Sequence, residues 1–488
     1  MKTAAEKQKS NGLQIRHVRP KDVFKIFFTT GTALAAFELL VSPHPHHAKT
    51  LGVFPAVQAG GLTTTPAEIY FISGLVLFGV FFLGSLSQFP KKGIYFGVAP
   101  SRGMNALAFI FIVGIVSSAF VGLFLGNDNI LVFVRVNFFL LLALLFYSYR
   151  REVYSCRQYV ILFASLVGVF YASIVVLEFF KYLPWLPSFL VYSNNSSDLW
   201  FGLYFTAFAL IYSLSRLLTG KASLFYIIVF LLSLTALAIR ITNKPVILSA
   251  FVGVLVVVLV AVSISKKSVL RFMVAASLFS FLSVALFSYG DFKANFYSTF
   301  AERFYKIELS NEQASEISFL QLIGLAEQIE FGTGADVSAG RFAIWSAYFL
   351  GGLEYPLISP NFGGDEPVAQ SRGREFQRAA HNSIAHYAYH VGYPAAIALL
   401  LLIFWFLVFG WKKIKTMKRG RDDSEIVAFY AYTVSIIAVE MVGGPILSSP
   451  TFTWFFFSVL VVFLFSAENL GANAVFESKI RQSVAPSL

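Results

Sequence analysis

Three polar residues in the second half of this sequence have types and spacing that suit chemistry on a phosphate and a sugar. Arg341 opens an amphipathic stretch, and the planar guanidinium of an arginine can hold two phosphate oxygens at once. His381 and Asn382 follow about forty residues later, directly before an apolar run. A neutral imidazole there can take a proton from an attacking sugar hydroxyl, and the amide of Asn382 can orient the imidazole or bind the sugar.

Further cations lie at the ends of apolar segments. Arg240 and Lys244 flank the junction of two such segments, and Pro245 stands where the first turn of a helix is expected. A helix start beside two cations predicts an anion site. Arg135 lies one to two turns inside another apolar segment, where it either anchors a phosphate or extends to the membrane surface.

Other ionisable residues have weaker functional interpretations. Glu38 and Glu440 fall within apolar segments and are expected to pair with cations or backbone. His386 and His390 share a helix face, but no carboxylate or cysteine completes a metal site, so hydrogen bonds within the helix bundle are expected. We find no nucleotide-binding or serine-hydrolase motif, and we expect neither metal nor cofactor.

The composition is that of an integral membrane protein. Of 488 residues, 57% are hydrophobic and 13% are charged, against about 25% charged in soluble domains. The single cysteine, Cys156, excludes an intramolecular disulfide. The net charge of +12 could indicate a nucleic-acid partner. However, 25 of the 38 basic residues fall in segments that the positive-inside rule assigns to the cytoplasm, so no nucleic acid is expected.

The sequence predicts an all-α polytopic membrane protein with about twelve spans and both termini in the cytoplasm. The predicted spans are about 23–42, 67–89, 104–125, 130–148, 159–178, 199–218, 223–241, 246–265, 272–290, 384–410, 425–447 and 452–468. The expected organisation is a basic cytoplasmic tail (1–22), spans one to nine (23–290), a long outer loop (291–383), spans ten to twelve (384–468) and a second cytoplasmic tail (469–488).

The outer loop is the one long polar interval of the chain. It carries seven basic and twelve acidic residues, and a loop of this length is usually functional. Apolar periodicity predicts helices near 312–330 and over about 339–353, and the second of these is amphipathic enough to lie on the membrane surface. Proline and glycine between 356 and 367 then predict a loop that folds back and brings Arg341 near His381.

This arrangement resembles the O-antigen ligase and O-antigen (Wzy-type) polymerase superfamily of bacterial inner-membrane glycosyltransferases. The resemblance rests on the twelve spans with a long loop between spans nine and ten, on Arg341-Phe-Ala-Ile-Trp345 with Gly352, and on His381-Asn382 with Gly392. It implies a multi-pass protein of the inner membrane whose active site faces the periplasm. The family also has a cation at the outer end of span seven, for which either Arg240 or Lys244 could stand here.

The resemblance implies an undecaprenyl-diphosphate-linked glycan as donor and either lipid A-core or a lipid-linked repeat unit as acceptor. Arg341, with Arg240 or Lys244 and with Arg135, would bind the diphosphate, and Trp345 and Asn382 would contact substrate. His381 would act as base, or would position the acceptor, in a metal-independent inverting transfer. A chain-length regulator, a flippase and membrane lipids are the expected partners.

The candidate site residues do not identify the acceptor molecule. A ligase of lipopolysaccharide and a polymerase of O-antigen or exopolysaccharide fit about equally, and a protein-directed oligosaccharyltransferase is a third member of the same class. From another class, twelve spans also fit a transporter or flippase of a lipid-linked oligosaccharide or small solute. An outer-facing pocket containing Arg341, His381 and either Arg240 or Lys244 would favour transfer, whereas a cavity at mid-membrane lined by Glu38, Arg135 and Glu440 would favour transport.

Overall fold

The computed structural model describes most of the apolar segments and part of the long polar interval. The described residues are 20–41, 57–59, 62–86, 102–179, 200–220, 223–240, 243–264, 341–371, 374–377, 380, 382–415, 423–442 and 449–466, with short pieces between 270 and 321.

The described chain is mostly helical. Two antiparallel two-stranded ribbons accompany the helices, and in the second of them Val368 pairs with Gln377 and Ser371 with Arg374. The elements in chain order are α1 (Pro20–Val41), β1 (Val57–Ala59), β2 (Leu62–Thr64), α2 (Pro66–Leu86), α3 (Arg102–Leu125), α4 (Ile130–Phe138), α5 (Leu141–Ser148), α6 (Arg150–Ser155), α7 (Arg157–Phe179), α8 (Trp200–Thr219), α9 (Leu224–Ile239), α10 (Lys244–Ile264), α11 (Asn311–Glu316), α12 (Arg341–Gly352), β3 (Val368–Ser371), β4 (Arg374–Gln377), α13 (Ser383–His390), α14 (Tyr393–Lys415), α15 (Asp423–Val442) and α16 (Pro450–Ser466).

Several of these helices are suited to a membrane. Within the described residues, eight helical segments are long and apolar enough to cross a bilayer: Pro20–Leu40, Ala106–Leu125, Ile130–Ser148, Arg157–Phe179, Gly202–Thr219, Pro245–Ser263, Tyr393–Lys415 and Ser424–Val442. Three shorter apolar helices accompany them: Pro66–Val80, Leu224–Ile239 and Pro450–Ser466. The protein is therefore a helical membrane protein with several candidate spans.

Helices in the described part coincide with eleven of the twelve predicted spans. The exception is the ninth, 272–290, which is described as helical over 272–277 and at residues 280 and 288 and otherwise lies outside the described residues. The predicted tenth span, 384–410, is not one helix, because α13 ends at His390 and α14 begins at Tyr393. Gly392 between them has φ +121°, a backbone conformation essentially confined to glycine.

The first and last described helices pack together around a buried tryptophan. Trp454 of α16 stacks on Phe71 of α2 at 4.3 Å and meets Phe146 of α5 edge-on at 4.7 Å between ring centroids. Its indole N–H donates to the Thr32 hydroxyl at 3.1 Å. Gly31 lies against the ring, since a Cβ there would stand 2.5 Å from the indole. These contacts hold α1, α2, α5 and α16 in one core.

The two ends of α15 separate two groups of polar contacts. At its start, Glu425 accepts from Arg157 at 3.3 Å, and the Ser424 hydroxyl accepts from Arg216 at 2.9 Å. Both arginines belong to segments predicted to be cytoplasmic. The other end of α15, at Val442, lies about 30 Å away and meets the predicted outer loop, described below. Residues assigned by charge to opposite membrane faces thus lie at opposite ends of the bundle.

The described part of the outer loop is built on α12. This helix confirms the amphipathic helix predicted over 339–353, and a series of turns then leads from Leu353 to the β3–β4 ribbon and α13. The helix predicted over 312–330 is described as α11 and again at Gln321, and the rest of that range lies outside the described residues.

Candidate functional site

Helix α12 contacts α13 through one face. Ile344, Tyr348 and Gly352 are spaced four residues apart and are all buried. A Cβ on Gly352 would stand 2.9 Å from the carbonyl oxygen of Ala388. The glycine that ends the Arg-to-Gly motif therefore allows the two helices to approach backbone to backbone.

The loop that follows α12 packs against Gly392, the glycine of the second motif. A Cβ on Gly392 would stand 2.5 Å from the Leu357 carbonyl oxygen. On either side of it, the Tyr393 N–H donates to the Pro356 carbonyl and the Ser359 N–H donates to the Val391 carbonyl, each at 3.0 Å. The break between α13 and α14 is thus the place where this loop docks.

The same loop also contacts the turn between α3 and α4. The Asn127 side-chain amide donates to the carbonyls of Pro360 and Phe362, both at 2.9 Å, and the Asn129 N–H donates to the Gly363 carbonyl at 2.9 Å. Both the turn and the loop belong to segments predicted to be on the outer side, and their contact shows that they lie on the same side of the helix bundle. These bonds fix the predicted fold-back of the proline- and glycine-containing loop.

At the end of α15, residues from both motifs bind neighbouring carbonyl groups. The guanidinium of Arg341 donates to the Val442 carbonyl at 2.6 Å, and the Asn382 amide donates to the Met441 carbonyl at 2.8 Å. The last carbonyls of a helix lack intrahelical partners and carry partial negative charge, which donors and cations stabilise. Arg341 and Asn382 are thereby brought to one helix end.

A carboxylate and an indole complete this group. The Ser383 hydroxyl donates to a carboxylate oxygen of Glu440 at 2.6 Å, and Glu440 is buried. The Trp345 indole N–H donates to the Ala380 carbonyl at 2.8 Å. We call Arg341, Trp345, Asn382, Ser383 and Glu440 the outer-end cluster, after the membrane side that the sequence predicts for this end of α15.

His381 itself lies outside the described residues, but both of its chain neighbours are described. Ala380 accepts the hydrogen bond from Trp345, and Asn382 is the N-cap of α13, where its side-chain oxygen accepts from the Ala385 N–H at 3.0 Å. The chain on each side of His381 is therefore tied to the outer-end cluster.

The start of α10 lies at the same end of the bundle. The hydroxyls of Ser249 and Ser435 are 3.0 Å apart, which aligns α10 with α15. Lys244, the first residue of α10, lies about 8 Å along its helix from this contact. Val442, the last residue of α15, lies about 11 Å along its own helix from the same contact. Arg271, shortly after α10, donates to the Gly220 carbonyl, and Arg216, four residues before Gly220, donates to Ser424 at the start of α15. The end of α10 therefore lies near the start of α15, and the two helices run in opposite directions. The backbone of Lys244 is thus near the outer-end cluster in height, and its side chain lies outside the described residues.

Arg135 forms an ion pair with Glu68 of α2, a residue that the sequence analysis did not single out. Thr65 and Glu68 form a capping box, with Thr65 N–H to Glu68 at 3.1 Å and Glu68 N–H to Thr65 at 3.3 Å. The pattern Thr-Pro-Ala-Glu before an apolar run was a readable signal for this cap. In α4, Asn137 accepts from Tyr387 of α13 at 3.2 Å, whereas Arg135 points to the opposite side of the helix.

Arg240 forms an ion pair with Glu178 at the end of α7, with a separation of 2.8 Å. The Nε of Arg240 is buried and has no hydrogen-bond partner among the described residues. Arg135 and Arg240, two of the three arginines assigned to a diphosphate, thus already neutralise a carboxylate, and their role in binding substrate stays a prediction.

The two acidic residues of the candidate transport cavity lie in different groups. Glu38 accepts from the Ala67 N–H at 3.3 Å and from the Thr451 hydroxyl at 3.2 Å, which places it beside the capped start of α2. Glu440 instead belongs to the outer-end cluster. The buried Glu38 and Glu68 and the half-buried Arg135 form one charged group without it.

The two histidines of α13 are packed among aromatic rings. Their ring centroids are 4.5 Å apart, and Phe133 stacks on His386 at 5.5 Å. Nδ1 of His390 hydrogen-bonds the Asn361 carbonyl at 2.7 Å, which is the kind of bond expected from the sequence. Within the described ranges, no three His, Cys, Asp or Glu side chains are grouped as metal ligands.

No protein-family model, curated protein or solved structure matches this chain.

The outer-end cluster groups four kinds of side chain at one helix end: the guanidinium of Arg341, the buried carboxylate of Glu440, the amide of Asn382 and the indole of Trp345. A guanidinium has five N–H donors, more than the Val442 carbonyl can use, so Arg341 can bind an anion while it keeps this contact. The cluster therefore suits a charged, hydrogen-bonding substrate that approaches the end of α15.

Proposed function

We propose that this protein is a bacterial inner-membrane glycosyltransferase of the O-antigen ligase or polymerase type. Its twelve spans would leave both termini in the cytoplasm and the site facing the periplasm. One observation carries the proposal: Arg341 and Asn382, from two motifs about forty residues apart, bind adjacent carbonyls at one end of α15. Motifs that serve one site must meet in space, and these two do.

In the proposed reaction, an acceptor hydroxyl attacks the anomeric carbon of an undecaprenyl-diphosphate-linked glycan. The new glycosidic C–O bond forms as the bond to the diphosphate breaks, and the electron pair leaves on the diphosphate. Arg341 stabilises that negative charge, and His381 accepts the proton of the hydroxyl. One direct displacement inverts the anomeric centre.

The second positive charge for the diphosphate would come from Arg240, Lys244 or Arg135. The start of α10 supports Lys244, because a helix N-terminus favours an anion and lies at the height of the outer-end cluster. Arg240 and Arg135 would have to share their charge with Glu178 and Glu68.

A deletion strain of the source bacterium, analysed for surface glycan, tests the proposal and separates its two forms. Loss of long chains with single repeats still on lipid A-core indicates a polymerase. Accumulation of lipid-linked polymer that does not reach lipid A-core indicates a ligase. A chain-length regulator and a flippase are the partners expected in either case. Unchanged surface glycan would contradict the proposal.

Complementation of that strain tests the assigned residues. Arg341→Gln and His381→Gln are expected to abolish rescue at normal protein levels, whereas Asp365→Asn, an exposed change in the same loop, is expected to rescue fully. Full rescue by His381→Gln would remove the histidine from the mechanism.

A transporter is the second candidate, and it would need a charged cavity at mid-membrane. Glu38 and Glu68 instead lie in the last turn of α1 and the first turn of α2, and Glu440 belongs to the outer-end cluster, so the described residues favour transfer over transport. Proteoliposomes loaded with lipid-linked oligosaccharide decide between the two, because a transporter moves the glycan across the bilayer with its diphosphate bond intact, whereas a transferase releases undecaprenyl diphosphate.

A further inference from the structure

The outer surface of α12 and the turns after it carry large apolar side chains that no part of the described chain covers. Elsewhere in the described residues, large hydrophobic side chains are exposed only on apolar helices. In this polar interval, the exposed ones are Phe342, Leu350, Leu353, Tyr355, Leu357, Ile358 and Val368. Phe342, Leu350 and Leu357 are the most exposed, at 68%, 66% and 73%.

Phe342, Leu350, Leu353 and Leu357, together with the exposed Ser346, form one stripe. In α12, Phe342 and Leu350 lie eight residues apart on the face opposite the buried Ile344 and Tyr348. Leu353 continues the same side past the end of the helix, and Leu357 follows in the turns. A soluble surface rarely leaves such a stripe open to water.

The stripe is continuous with exposed apolar surfaces of the candidate spans α3 and α14. The Pro356 carbonyl accepts from the N–H of Tyr393, the first residue of the candidate span α14. Ile397 and Phe404 of α14 are exposed, and Ile397 lies only about 6 Å along the helix from Tyr393. The same loop covers Gly122 of α3, next to exposed Leu123.

We infer that α12 and residues 353–358 insert their apolar stripe into the outer leaflet of the membrane, as an interfacial anchor. An amphipathic helix in this position lies about 5–10 Å deep at the boundary of headgroups and acyl chains. Arg341, at the start of α12, then lies at the level of lipid phosphates. The inference does not depend on the reaction that the site performs.

Depth measurements on the full chain in lipid nanodiscs test the anchor. Cys156, the only cysteine, is replaced by serine, and a nitroxide label is attached to Leu350→Cys or Leu357→Cys. Phe404→Cys on α14 serves as the lipid-facing reference. Asp365→Cys, which is exposed in the same loop, serves as the water-facing reference. Collision rates with oxygen, which partitions into lipid, and with a water-soluble nickel chelate then report the depth of each label.

The expected result is a shift of the labels at 350 and 357 from the aqueous value at 365 toward the lipid value at 404. Preferential collision with the nickel chelate at both positions would overturn the inference, since the stripe would then face water. Dipolar broadening between labels at 357 would also overturn it, because a second copy of the chain would then cover the stripe. Each labelled position is exposed in the fold, so labelling leaves the packing intact.

Discussion

Replacing Gly392 by alanine should loosen the joint between α13, α14 and the loop after α12. The φ of +121° is a conformation that alanine adopts only at a cost of about 1–3 kcal/mol. The added Cβ would also stand 2.5 Å from the Leu357 carbonyl oxygen, so the loop must move. That movement weakens the two flanking hydrogen bonds, from Tyr393 and from Ser359, each worth about 1 kcal/mol.

The sum predicts a loss of about 3–5 kcal/mol in local stability, against about 1–2 kcal/mol for a matched change at Gly126. Gly126 also has a positive φ, +66°, but a Cβ there meets nothing within 4 Å. Hydrogen exchange of the Tyr393 and Ser359 amides in the purified protein measures the difference. We expect exchange about 100-fold or more faster in Gly392→Ala and little change in Gly126→Ala. Equal protection in both variants would refute the close docking of the loop at Gly392.

Three further changes probe other contacts. Trp345→Phe keeps the ring but leaves the buried Ala380 carbonyl without its donor, and should cost about 1–3 kcal/mol and speed exchange in the peptides around residue 380. Burial raises the pKa of Glu366 above its ordinary value. The folded state therefore loses stability as the pH rises through that raised pKa, so the thermal midpoint of Glu366→Gln should exceed that of the wild type near about pH 8 and match it near about pH 4. A double-mutant cycle of Arg240→Gln with Glu178→Gln should give a coupling free energy of roughly 1 kcal/mol, and zero coupling would show that the pair does not form.

Hydropathy alone predicted most of the helices, because a spanning segment must be about 20 residues long and apolar. It did not predict the break in the tenth segment, since hydropathy is averaged over about 20 residues and does not resolve a break of two residues, Val391 and Gly392. A signal was nevertheless present: glycine followed closely by Pro394 favours a helix end and a new helix start.

The partners of the charged residues were beyond the sequence. Arg135 pairs with a carboxylate 67 positions away, and Arg240 pairs with one 62 positions away. Nothing in local periodicity indicates which of several acidic residues a cation will meet across a helix bundle. The motifs around Arg341 and His381 predicted that their segments converge, but the role of α15 as the meeting point required the fold, because Val442 is 101 positions from Arg341.

The proposed chemistry at the outer-end cluster is tested most directly by glycan transfer with the purified protein in nanodiscs. The donor is an undecaprenyl-diphosphate-linked glycan, the acceptor is lipid A-core or a second lipid-linked repeat, and the release of undecaprenyl diphosphate is measured. We predict transfer by the wild type and by Asp365→Asn, and a rate reduced by about 100-fold or more in Arg341→Gln, since one charge-stabilising donor contributes about that much. Transfer by Arg341→Gln at the wild-type rate, in protein whose hydrogen exchange is unchanged, would contradict the proposal.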